Sequence, residues 1–117
     1  MSVSKKQREF TVCCAKLVLF ADSKGYGLTT GDGYRDPRLH GEFGEDGGYG
    51  SKNSVHKKRL AQDYNLFIGD DYITDGDNPV YTELGEYWES LHEDARWGGR
   101  FKSVDSNHFS FELWGCK

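Results

Sequence analysis

The sequence predicts an α+β fold, and three patterns carry that reading. Phe10, Cys14, Leu17 and Ala21 recur at helical spacing, with Cys13, Val18 and Phe20 widening the apolar stripe. Leu60 to Ile68 alternates instead, with Leu60, Tyr64, Leu66 and Ile68 on one parity and Ala61, Asp63, Asn65 and Phe67 on the other. Asn107 to Leu113 alternates as well, Phe109, Phe111 and Leu113 toward a core and His108, Ser110 and Glu112 away from it. Helices combined with short antiparallel strands make an α+β domain.

In chain order, the first helix is expected from about Ser4 to Lys24, with Ser4 as N-cap and Gly25 or Gly27 ending it. Leu28 to Asp32 reads as a short strand. A glycine-dense loop follows from Arg38 to Asn53, with Phe43 and Tyr49 as the aromatic residues that pin it. A loop that long inside a small domain is usually functional, and this one runs straight into His56, so it is expected to border a cleft. After the Leu60–Ile68 strand, Gly69-Asp70-Asp71 is a turn and Tyr72-Ile73-Thr74 a returning strand. Val80 to about Glu93 is a second helix, with Leu84, Tyr87, Trp88 and Leu91 on one face, broken by Trp97-Gly98-Gly99.

The chain of 117 residues is long enough for one core, so residues 1–117 are read as a single domain. Hydrophobic content is only 36%, but aromatics make up 15% and each buries a large area, which argues against disorder. A formal charge of -4 argues against a nucleic-acid partner, leaving only a local basic patch at Lys57, Lys58 and Arg59. Cys13, Cys14 and Cys116 form no sensible disulfide framework and no Cys-x-x-Cys pair, so they are read as free thiols. Neither a signal peptide nor an apolar span for a bilayer is visible, and no stable membrane association is expected.

One constellation carries chemistry. His56 stands seven residues ahead of Asp63, and His108 follows near the end of the chain with Asp105 three residues before it. Two imidazoles and a carboxylate make a three-ligand zinc site with one open position, the arrangement catalytic zinc uses. Asp105 is then close enough to act as a base without being a ligand. Spacing alone also fits ordinary solvated or hydrogen-bonded side chains, which is the reading preferred for His40 and His92, since neither has a carboxylate at a comparable spacing.

The motif around these residues adds to the spacing. Ser54-Val55-His56-Lys57-Lys58-Arg59-Leu60-Ala61-Gln62-Asp63 resembles the first zinc motif of the M15 metallopeptidases. Trp97-Gly98-Gly99-Arg100-Phe101, followed by Asp105 and His108-Phe109, is similar to the second motif in its phage form, where Asp replaces the Glu of the carboxypeptidases. Gly33-Tyr34-Arg35-Asp36-Pro37 resembles the upstream segment whose arginine helps to hold substrate. Arg59 departs from the glycine that many members carry three residues after the first histidine, and Gln62 is more polar than usual.

The resemblance implies the D-Ala-D-Ala carboxypeptidase/hedgehog-like zinc peptidase fold, a small antiparallel sheet with helices packed on one side. It further implies Zn2+ held by His56, Asp63 and His108, with Asp105 as general base. Arg35 would pair with a substrate carboxylate, and Ser54 would bond near the substrate or only shape the turn before His56. The expected activity is a monomeric phage endolysin cutting the L-Ala–D-Glu bond of the peptidoglycan stem peptide. Such an enzyme is made in the host cytoplasm and reaches the wall once the membrane is permeabilised. A D-Ala-D-Ala carboxypeptidase or dipeptidase of the same family is the enzymatic alternative, and a non-catalytic wall-peptide binding module is the other.

Overall fold

The computed structural model describes residues 2–45 and 52–117. The expectation for Tyr49, and for Gly47, Gly48 and Gly50 around it, lies outside the described residues. Helix α1 spans Val3–Ser23, and its N-cap is Ser2 rather than Ser4: the Ser2 hydroxyl accepts from the Lys5 amide at 3.1 Å. Gly25, at a φ of 81°, ends it as expected. Its buried residues are Phe10, Cys13, Leu17 and Ala21, so Cys13 rather than Cys14 lies on the central line of the stripe and Val18 is exposed.

Strand β1 covers Tyr26–Thr30, slightly earlier than expected, and the single turn α2 covers Pro37–His40 inside the expected loop. Strand β2 (Ala61–Ile68) is the spine of the sheet. One edge pairs with β1, while the other pairs with β3 (Asp71–Ile73) at its C-terminal end and β5 (His108–Phe111) at its N-terminal end. Helix α3 spans Pro79–Ser90, with Pro79 at its first turn and Asn78 capping the Val80 amide. The short strand β4 (Ala95–Trp97), which no alternation announced, pairs with β5, and every ladder is antiparallel. Among the described residues no helix is long and apolar enough to cross a membrane.

The core lies between the sheet and the two long helices. Phe10 meets Trp88 and Phe111 edge-on at 5.5 and 5.2 Å, and Trp88 meets Phe109 at 5.9 Å. The Trp88 indole N–H donates to the Arg96 and Ser110 carbonyls, tying α3 to β4 and β5. Because side chains alternate across a strand, Phe109 and Phe111 facing the helices puts His108 and Ser110 on the opposite face. His108 and Ser110 are nevertheless buried.

Candidate metal centre

The site is built on the sheet face that the helices leave free. Asp63 and His108 are direct partners in the β2–β5 register, so their side chains stand side by side. His56 comes from a 3-10 turn, Val55–Lys58, which Ser54 caps through its hydroxyl, accepting from the His56 amide at 3.2 Å. Asp63 Oδ1 lies 3.4 Å from His56 Nε2 and 3.3 Å from His108 Nδ1. Ligand atoms from these three residues all fall within 4.8 Å of one another.

Whether these residues fit a cation can be judged from the donors themselves. Asp63 Oδ1 is buried and makes no hydrogen bond of acceptable geometry, although two imidazole nitrogens face it. An orphaned carboxylate oxygen of this kind is costly unless something positive completes it. Burial alone would raise the Asp63 pKa, but the His108 and His56 imidazoles outweigh it and hold the carboxyl at about 2. On the far side of His56, Nδ1 sits 2.7 Å from the Gly33 carbonyl. A carbonyl only accepts, so Nδ1–H donates there and Nε2 is the nitrogen turned toward Asp63 and available to a metal, the usual support of a metal-binding imidazole. The donor set fits zinc, which takes imidazole nitrogen and carboxylate oxygen.

Backbone ties explain why Gly33 is in position. The Gly31 amide donates to the Asp63 carbonyl and the Asp63 amide to the Asp32 carbonyl, both at 2.8 Å. Gln62 Nε2 donates to the Gly31 and Asp32 carbonyls. The polar Gln62 therefore stitches the 31–33 segment to β2. From the same segment Arg35 donates to Ser54 Oγ at 3.0 Å and pairs with Asp32 at 3.4 Å. Ser54 thus caps the turn and braces Arg35 together.

Asp105 comes from the turn before β5, with Oδ2 3.9 Å from His108 Nδ1 and the side chain half exposed. Partial burial and then the nearby Asp63 carboxylate raise its pKa. Trp97 anchors this turn, its indole N–H donating to the Ser106 carbonyl at 2.8 Å. Arg35, Ser54, His56, Asp105 and His108 line one cavity of about 380 Å³, joined by Phe101 and Lys117, which the sequence reading gave no role there. No local signal marks Lys117, because only the fold brings it to this wall. A second cavity of about 470 Å³, lined by Tyr72, Asp75, Asp77 and Tyr81, shares Val104 and Asp105 with the first in its walls.

The other sequence expectations fare unevenly. Lys57 belongs to no basic patch: it is buried, and its ammonium donates to the carbonyls of Glu42, Glu45 and Lys52, tying the long loop to the His56 turn. His40 is buried. His92 is hydrogen-bonded, as one of the two expected readings has it, to Glu9 at 3.2 Å, with Asp94 at 4.0 Å. All three cysteines are free.

A family profile described as D-alanyl-D-alanine carboxypeptidase, of the M15 peptidases, matches residues 48–111, more than half of the chain. The chain belongs to the M15 peptidase family. A comparison with curated protein sequences finds no match. The matched span contains His56, Asp63, Asp105 and His108, while Arg35 precedes it. M15 members are metallopeptidases, typically zinc-dependent, acting on peptidoglycan peptides, and the His56–Asp63–His108 group is where this member could bind its metal. The backbone at Arg59 is unusual. That residue ends the 3-10 turn in the left-handed region, at φ 56° and ψ 34°, a conformation that favours glycine. The Arg59 guanidinium stacks on Tyr34, 3.8 Å from the ring centroid.

Proposed function

We propose that this M15 peptidase is a zinc-dependent peptidoglycan endopeptidase of the phage endolysin type, hydrolysing the L-Ala–D-Glu bond of the stem peptide. The observation that carries the reading is the buried Asp63 oxygen between two imidazole nitrogens, with a half-exposed carboxylate beside them. His56, Asp63 and His108 would hold a zinc ion, which would supply Lewis acidity for the scissile carbonyl and lower the pKa of a bound water to about 7. Asp105 Oδ2 takes the proton of the attacking water and later returns it to the leaving amine. Arg35, held by Ser54 and Asp32, presents a planar cationic fork to a substrate carboxylate. As an endolysin the protein would be made in the host cytoplasm and reach the wall once the membrane is opened.

Open space on both sides of Asp105 favours cleavage within a chain. Asp105 and Val104 stand in the walls of two cavities, one lined by Arg35 and His56 and the other by Tyr72 and Tyr81, so peptide has room on either side of the base. The family description favours a second reading, removal of a terminal D-Ala. Digesting purified peptidoglycan and identifying the new termini by mass spectrometry separates the two. New L-Ala carboxyl and D-Glu amino termini are expected; release of free D-Ala alone would replace this reading with the carboxypeptidase.

A further inference from the structure

We propose that Trp114, with Phe43 and Lys58, forms a sugar-binding platform that holds the glycan strand while its stem peptide occupies the metal centre. The inference rests on the peptidoglycan reading above. Trp88 and Trp97 are buried, whereas Trp114 is 66% exposed. It sits at the tip of a tight turn closed by two 2.8 Å hydrogen bonds between Leu113 and Cys116. Both central residues have positive φ, 51° at Trp114 and 78° at Gly115. A two-residue turn of that kind favours Asn-Gly, and a bulky aromatic in its first position is strained. Such strain persists where a side chain must be presented in one direction.

The surroundings indicate what the ring is presented to. Phe43 packs edge-on against Trp114, ring centroids 5.4 Å apart, and the Lys58 ammonium lies 5.8 Å from each centroid. An indole face carries negative charge density that attracts the polarised C–H groups of a pyranose ring. The ammonium beside it can donate to a sugar hydroxyl or to an N-acetyl carbonyl. Two rings and one cation are far too small for a stable protein interface, which needs roughly 800 Å² per partner.

Position ties the platform to the site by two routes. Lys58 shares the 3-10 turn Val55–Lys58 with His56, at a rise of about 4 Å over two residues. Lys117, which lines the site cavity with His56 and Asp105, follows Trp114 by three residues, at most about 11 Å of chain. Stem peptides hang from the glycan through their first residue. A peptide at the metal centre therefore brings sugar to its own flank, and Trp114 lies three residues along the chain from Lys117 in the cavity wall.

The test compares wild type with Trp114→Asn, which suits the turn, and Trp114→Phe, which keeps a ring. An N-acetylglucosamine tetramer should quench or shift wild-type tryptophan fluorescence, because the other two indoles are buried. Trp114→Asn should abolish that response and weaken co-sedimentation with insoluble peptidoglycan about tenfold, the scale of one lost aromatic contact. Turnover of a soluble sugar-free stem peptide should stay within about twofold, and the melting temperature should not fall, since the strain is relieved. Trp114→Phe should keep part of the binding. Unchanged peptidoglycan binding by Trp114→Asn would overturn the proposal, as would Trp114-dependent binding to phosphatidylglycerol vesicles without binding to the tetramer. If wild type binds the tetramer through Trp114 but cleaves no stem peptide, the platform stands and the peptidase reading fails.

Discussion

At the scale of single residues, Asp105 and Arg59 make separate claims. Among the described residues no backbone N–H donates to the Asp105 carboxylate, and the three candidate ligands do not include it. Asp105→Asn should keep the fold and the zinc content yet lose roughly 10²–10⁴-fold in turnover, because an amide cannot take up the water's proton. Near-normal turnover by a zinc-loaded variant would remove Asp105 from the mechanism. Arg59 balances two effects of similar size. Its left-handed backbone costs about 1–2 kcal/mol, and stacking on Tyr34 returns about 0.5–1 kcal/mol. Arg59→Gly should therefore leave stability nearly unchanged or slightly raised, whereas Arg59→Ala keeps the strain and loses the stacking. A denaturant series in which Ala is at least as stable as Gly would show that the backbone cost is not real. The sequence shows Arg59 as a departure from the family's glycine, and only its backbone angles say why the position prefers one.

Among the elements, the turn between β4 and β5 is the most constrained. A Cβ at Gly98 would overlap the Asp105 carbonyl oxygen and press on the Cβ of His108, and one at Gly99 would overlap the Trp97 ring. Gly98→Ala should thus displace both the base and a ligand, lowering zinc affinity and activity together. Gly85, in the middle of α3, separates two opposed effects. Alanine gains about 1 kcal/mol of helix propensity there, but its methyl would overlap the Trp97 ring, an overpacking cost of about 1–3 kcal/mol. Net destabilisation of Gly85→Ala is expected by thermal melting, and a stabilised variant would mean that Trp97 moves freely. The long helices and β2 were legible in the sequence because period decides them. Strand β4 was not: Ala95–Trp97 is too short to show alternation, and its pairing with β5 is a tertiary fact. Burial of Lys57 was equally invisible, since a lysine reads as surface until three carbonyls converge on it.

Across the whole molecule, the core carries its own pH limit on the side away from the metal centre. Burial pushes the Cys14 thiol from 9.0 up to about 12, and burial together with Cys14 raises the neighbouring Tyr64 phenol. Both groups stay neutral in the native state, so their contribution is complete below about pH 9. It is lost as pH rises toward 12, with a slope of at most about 1.4 kcal/mol per pH unit for each group. Melting temperature should drop across that window, and Cys14→Ala should make the drop shallower; an identical profile would mean that Cys14 does not titrate there. The candidate site was legible as a list, His56, Asp63, Asp105 and His108, because the motif spacing survives in one dimension. Its second layer was not, since the Gly33 carbonyl and the Ser54–Arg35 brace depend on how residues 31–35 are stitched to β2. The central claim is that His56, Asp63 and His108 hold the catalytic metal, and it is tested most directly by diffraction from zinc-loaded crystals on both sides of the zinc absorption edge. One anomalous peak within bonding distance of all three side chains is the expected result. An active protein with no peak there, or with its zinc on the cysteines instead, would contradict it.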